Sequence, residues 1–409
     1  MSFNIALSGI NAASTDLNVI SNNIANANTT GFKDSRAEFG DLIQSSVYSV
    51  ANVAAGDGVV TQTVAQQFTQ GTITSTNNPL DIAINGNGFF TMSNNGALVY
   101  TRNGAFQTDN NGYVVSDQGM RLQVYPAVPD TNPAIFSTGT LQDLQISTTP
   151  NPPNATANID AGITLPVNTP VPATATFSPT DPTSYNYTTT ATVYDSLGAA
   201  HSASLYFAQT ATPGTWTVYT VIDGDTTQDT STTMTFDSSG NLTAPPGGTV
   251  ALNPFNTSDG SATMQINLNL SKTIQYGSNF QINSLAQDGY TTGQLSGVQI
   301  SQDGVVTTTY TNGQNVPVGQ IAMATFADQQ GLQQLGNSTW AQTFDSGAAL
   351  QGTASSSNFG SLQAGSLESS NTDLTTQLVD MMTAQRNYQA NSQVISTEDQ
   401  LLQTILQLR

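Results

Sequence analysis

A chain of 409 residues has room for two or three cores of ordinary size. Seven Lys and Arg against 27 Asp and Glu leave a formal net charge of −20, which repels a phosphate backbone and an anionic bilayer, so neither nucleic acid nor membrane is an expected partner. The lack of cysteine excludes disulfides and thiolate chemistry, and a single histidine leaves little acid–base or metal chemistry, so no enzyme is expected and no catalytic, cofactor-binding or metal residue is assigned.

The chain opens on an apolar stripe. Phe3, Ile10, Leu17 and Ile24 recur every seven residues, Ala6, Ala13, Ile20 and Ala27 follow three positions behind, and Leu7 widens the face; the spacing predicts a helix that Gly31 stops. The first basic residue is Lys33, so the basic start of a secretory signal is missing, and no run of about 18 apolar residues exists to span a membrane. Charged residues make up only 8% of the chain, against about 25% in ordinary soluble proteins, so amides and hydroxyls must form the surface. Such a surface suits the cell exterior, reached without a cleaved signal peptide. Residues 34–71 read as a connecting segment.

From Ile82 to Tyr125 short strands are split by Asn85-Gly86, Asn87-Gly88, Asn95-Gly96, Asn103-Gly104 and Asn111-Gly112. These pairs predict type I′ hairpin turns, in which both central residues need a positive φ. Similar signals return at Asp303-Gly304 and Asn312-Gly313. Between them fifteen of the seventeen prolines fall in the range Pro126 to Pro254, and the stretch from Leu122 to Ser271 holds ten Asp with no Lys or Arg. The expected architecture is therefore mainly β with α-helical termini. Residues 72–144 with 280–359 form one β domain, and 145–279 form a second one inserted in it, containing hairpins at Thr188 to Tyr194 with His201 to Phe207 and Thr215 to Ile222 with Thr232 to Phe236.

The carboxyl end, 365–409, predicts a second helix to pair with residues 1–33 in a coiled-coil-like layer. Leu374, Met381, Tyr388, Ile395 and Leu402 repeat every seven residues, Leu378, Val394, Leu401 and Ile405 widen the stripe, and Asn371 or Thr372 can cap it. Ordering a 25-residue helix costs about 1–2 kcal/mol per residue in backbone entropy. Burying Phe3, Leu7, Ile10, Leu17, Ile20 and Ile24 returns only about 1.5–3 kcal/mol each. Both ends are therefore expected to order only when packed on each other and on neighbouring copies. The residues expected to carry self-assembly are those six with Leu374, Leu378, Met381, Tyr388, Ile395, Leu402 and Ile405.

Several runs resemble the axial proteins of the bacterial flagellar rod and hook. They are LSGINAA (7–13) and ISNNIANANTTGFK (20–33) at the start, and NFG (358–360), GSLESSNTDL (365–374) and AQRNYQAN (384–391) at the end. NPLDIAINGNGFF (78–90) and YTRNGAF (100–106) are similar to segments of the same family, while the length, the inserted domain and VYDSLGAAH (193–201) resemble its hook branch. The resemblance implies a structural subunit that self-assembles into a curved, flexible tube, a universal joint carrying torque from rod to filament. Helical termini would line its channel and the acidic inserted domain would lie outermost. It implies as partners further copies of the chain, a rod protein, a hook cap, a hook–filament junction protein and the flagellar type III export apparatus. A stiff distal-rod subunit, or in another class an adhesin-like β protein, are the alternatives.

Three features invite a chemical reading. His201 lies on a hairpin near Asp195 and Ser196, but no Gly-x-Ser-x-Gly accompanies it, so a structural histidine is expected. Asp223, Asp225 and Asp229 have the spacing of a calcium loop, yet Gln228 stands where the loop needs glycine and no glutamate closes it, which favours a solvated turn. Gly86-Asn87-Gly88 continues into Phe89-Phe90 rather than a helix, as a hairpin does and a nucleotide loop does not.

Overall fold

The computed structural model describes residues 2–43, 56–129, 131, 133–257, 259–356 and 358–407. The chain divides into two compact units: Met1–Thr148 with Gly297–Thr309 and Asn315–Arg409, and Thr149–Ser296 with Tyr310–Gln314.

The first unit holds both helices, α1 (Ser2–Ala25) and α2 (Leu374–Gln407). Its main sheet centres on Phe89–Asn94, which pairs antiparallel with Ala97–Thr101, Arg121–Pro126 and Asn315–Thr325. The runs Phe89 to Met92 and Ile321 to Ala324 are buried without a break, as strands covered on both faces require. Phe68, Phe89, Tyr100, Phe326 and Trp340 pack beside them, edge-to-face except for the tilted Phe68–Trp340 pair, with ring centroids 4.8–5.9 Å apart. Two small ladders bring the C-terminal part back to the N-terminal part: Ser361–Ala364 pairs with Ile82–Asn85, and Ser366–Glu368 with Ile73–Ser75.

The second unit is all β. Tyr187–Tyr194, Ala200–Gln209, Thr215–Ile222, Asp225–Phe236 and Leu242–Ala244 form an antiparallel meander. A second sheet is centred on Asn158–Pro166, flanked in parallel by Asn267–Asn269 and Ile274–Tyr276 and antiparallel by Gln281–Gln287. Alternate residues Ala203, Leu205 and Phe207 of the meander join Ile159, Ile163, Leu165, Trp216 and Leu268 in one core. This is the packing of two sheets by their apolar faces.

Several boundaries differ from the sequence expectation. The segment 34–71 is not a plain connector: β1 (Ser35–Ile43) and β2 (Gly56–Gln66) form a long antiparallel hairpin. Residues 280–296 belong with the second unit, because Gln281–Gln287 completes the sheet on Asn158–Pro166. Helix α1 stops at Ala25, six residues before Gly31, and Gly31 (φ 67) instead lets the backbone pass Asn103, whose N would lie 2.6 Å from a Cβ there. Helix α2 starts only at Leu374, since Ser366–Glu368 is a strand. Its cap is Asp373, whose Oδ1 accepts from the N–H of Thr375 and Thr376 at 2.8 and 3.2 Å, while Asn371 is engaged elsewhere. Of the Asn-Gly and Asp-Gly pairs singled out above, only Asn95-Gly96 has both φ positive (50 and 93). At Asn103-Gly104 the glycine is needed for room, because a Cβ would lie 1.6 Å from the Ile82 carbonyl oxygen.

Candidate assembly surface

Two helices from opposite ends of a chain can meet closely only where their side chains are small. Gly9 of α1 supplies such a point: a Cβ on it would come within 2.7 Å of Asn391 Oδ1 on α2. Fourteen residues further along, buried Asn23 donates to Gln377 Oε1 at 3.1 Å, so the helices run antiparallel. The buried positions are Ala6, Ala12, Ala13, Ile20 and Asn23 on α1, and Gln377 and Ala384 on α2.

The large apolar residues are mostly left outside this seam. Phe3 and Leu7 are exposed, Ile10, Leu17 and Ile24 are half-buried, and Ile20 alone of the six is buried. On α2, Leu374, Leu378, Tyr388 and Leu402 are exposed and Met381 and Ile395 half-buried, while the side chain of Ile405 lies outside the described residues. Val379, Met382, Val394 and Leu401 add to the uncovered surface, with exposures of 44–55%.

The hairpin extends this surface, and the sequence reading missed it. Ser8 Oγ of α1 accepts from Val59 N at 3.1 Å, and Gly58 (φ 111) has Ser8 Oγ 2.3 Å from where a Cβ would sit. Phe39, Leu42, Val60 and Val64 are 40–45% exposed on the two strands. A hint was available in that four large apolar residues lie in a segment with no other partner assigned.

Between α1, α2 and β1 lies a cleft lined by Asp16, Asp34, Arg36, Phe39, Gln377 and Asp380. Burial, then the charge of Asp380, pushes the Asp16 carboxyl above its ordinary range. Burial also raises Asp34, against the hydrogen bond from Asn371.

One buried ionic cluster holds both ends of the chain to the sheet. Lys33 Nζ lies 2.6 Å from Glu368 Oε1, with both side chains fully buried, and Arg102 Nη1 lies 3.3 Å from Glu368 Oε2. Glu368 Oε1 also accepts from Gly71 N at 2.9 Å, Lys33 donates to the Thr69 carbonyl at 2.7 Å and Arg102 to the Gly86 carbonyl at 2.9 Å. Burial lowers the affinity of Lys33 and Arg102 for their protons, and Glu368 works against that. Asn371 adds a second tie, accepting from Asp34 N at 2.8 Å and donating to the Gln67 carbonyl at 2.7 Å.

Asp223 sits in the two-residue turn Asp223-Gly224 (φ 51 and 76), and Asp225 and Asp229 lie within a strand, so the three acids do not form a calcium loop.

This combination of a helical seam made from both termini with β units between them is that of a flagellar axial protein, and family models agree along most of the chain. They are the flagella basal body rod protein (residues 3–33), the flagellar hook protein FlgE/F/G D1 domain (83–167), the flagellar basal body protein FlaE D2 domain (154–290) and the flagellar basal body rod FlgEFG protein C-terminal (363–408). The flagellar hook protein FlgE of Salmonella typhimurium is 42% identical and that of Escherichia coli 40% identical, each over 100% of both chains. The FlgE of Treponema pallidum is 33% identical over 98% of each chain. The crystal structure of Helicobacter pylori flagellar hook protein FlgE2 shares the fold, with a TM-score of 0.53 and 15% identity over 72% of this chain and 100% of that one. The chain belongs to the flagellar hook protein FlgE family.

Proposed function

We propose that the protein polymerises through α1, α2 and the β1–β2 hairpin into the tube of the flagellar hook, a curved and flexible joint that passes torque from rod to filament. The observation that carries this reading is the seam: the termini pair through small residues and leave Leu374, Leu378, Leu401 and Leu402 about half exposed. Large apolar residues left exposed along a helix in that number mark an interaction site. Further copies of the same chain would cover it, and the rod, cap and junction proteins and the type III export apparatus are the other partners the reading implies.

Deleting residues 1–27 tests the reading. The full chain at high concentration should form curved tubes by electron microscopy, and the shortened chain should stay monomeric with its second unit still melting cooperatively. Tubes built by the shortened chain would overturn the reading, and straight stiff tubes from the full chain would favour a rod subunit. Hydrogen exchange gives an independent measure: residues 3–27 should exchange rapidly in a verified monomer and become protected in the polymer.

A further inference from the structure

The single histidine of the chain lies in the second unit, in a setting its hairpin does not require. His201 Nδ1 is 2.6 Å from Asp223 Oδ2, and Asp223 Oδ1 accepts from Ser202 N at 2.8 Å. The other ring nitrogen, Nε2, is buried and has no hydrogen-bond partner. It faces Asp195 Oδ2 at 3.6 Å, an atom that is also buried and unpartnered, on a side chain with 0% exposure. The remaining oxygen of Asp195 is occupied, accepting from Leu197 N at 2.9 Å and Ala199 N at 2.7 Å. Asp259, on an exposed loop, brings a third group: one ligand atom from each of Asp195, His201 and Asp259 lies within 4.8 Å of the others.

We propose that Asp195, His201 and Asp259 bind one divalent transition-metal ion of the zinc class, which staples the Asp195–His201 hairpin to the Asp259 loop of the second unit. The gap of 3.6 Å is too long for a sound hydrogen bond. It is close to the spacing of about 3.3–3.6 Å between two ligand atoms that share a tetrahedral zinc at bonds of about 2.0–2.2 Å. With Nδ1–H donated to Asp223, the neutral ring turns the lone pair of Nε2 toward a carboxylate oxygen that also has no partner, so a cation between the two atoms would satisfy both. Asp223 is then the outer carboxylate that fixes the tautomer and orientation of a ligating imidazole. One imidazole among three ligands favours zinc over calcium or magnesium, which prefer six or more oxygens. The Asp259 loop is already tied to the Asp195 turn, because Ser196 Oγ accepts from Ala262 N at 2.8 Å, so Asp259 needs only a side-chain swing to close the site around an ion with water in the fourth position.

The test is calorimetric titration of the full chain with zinc chloride after chelation, with cobalt(II) absorption as a second readout. One ion per chain, a tetrahedral cobalt spectrum and a zinc-dependent rise in the melting temperature of the second unit are expected. Asp259→Asn, at an exposed position, should fold normally and weaken binding at least about tenfold, and Asp223→Asn should weaken it ~10- to 100-fold. His201→Gln should abolish the zinc-dependent stabilisation. Absence of saturable zinc binding, or binding undiminished in Asp259→Asn, overturns the proposal, as does displacement of zinc by equimolar calcium.

Discussion

Two of the seven basic residues end on one carboxylate, and that carboxylate is fully buried. A buried ion pair adds little over an apolar replacement of the same shape, but removing one partner leaves a charge stranded in low dielectric. Glu368→Gln should therefore cost about 3–5 kcal/mol, measured by urea unfolding followed through Trp340, which is buried beside Phe89. Lys33 and Arg102 meet Glu368 across sequence separations of 335 and 266 residues. All three fall within runs that marked the family, yet no spacing rule connects them, so the cluster was not legible until the small ladders brought Ser366–Glu368 beside Ile73–Ser75. Asp16 shows the opposite balance, since burial and the charge of Asp380 both disfavour its ionised form. Its folded pKa is raised above 3.8, so between that value and the raised one the native state holds the proton more firmly than the unfolded chain. Stability from this group is full below the window and lost as pH rises through it. Asp16→Asn should accordingly raise the melting temperature of the polymer, in which α1 is ordered, at neutral pH and flatten its gain on mild acidification. Asp34, raised by burial in the same cleft, leaves a residual slope, and Arg36 and Asp380 are the other charges there.

At the scale of elements, both helices were legible because their apolar residues recur at a fixed period. Which stripe would be buried was not, since the seven-residue repeat of large residues and the offset repeat Ala6, Ala13, Ile20 fit a helix equally well. Close approach at Gly9 decides it in favour of the small residues. The double change Leu378→Ser and Leu402→Ser, at positions 52% and 55% exposed, should leave the monomer's helix content and melting temperature nearly unchanged. If neighbouring copies cover them, each loses about 1.5–3 kcal/mol of burial per contact, so the concentration needed to form tubes should rise at least about tenfold by light scattering. The β1–β2 hairpin escaped the sequence reading for a physical reason. Its strands show no strict two-residue alternation of burial, and no residue of β2 is fully buried, because this ribbon lies on no core of its own. The meander of the second unit does alternate, with Thr189, Ala191 and Val193 buried in Tyr187–Tyr194, and was legible accordingly. The sequence reading offered Asn371 or Thr372 as the helix cap, and could not show that Asn371 would be drawn away to Asp34 and Gln67 and leave the role to Asp373.

For the molecule as a whole, composition carries a mechanical consequence. A bent tube that turns must lengthen and shorten each protofilament once per revolution, so contacts between copies have to exchange at little cost. Amides and hydroxyls bridged by water can do so, and fixed ion pairs cannot. Engineering complementary Lys and Glu pairs across the second units of neighbouring copies should stiffen the tube, measured as bending stiffness by electron or optical microscopy; unchanged stiffness would count against this account. The buried carboxylate of Glu368 has a further effect at this scale. It arrives late in the chain, and until it does Lys33 and Arg102 have no counter-charge with which to enter the apolar interior. A fragment truncated upstream of residue 368 is left with two stranded cations and cannot close its own base. The segment that carries Glu368 is thus expected to act as a latch on the first unit, which a chain cut upstream of it lacks.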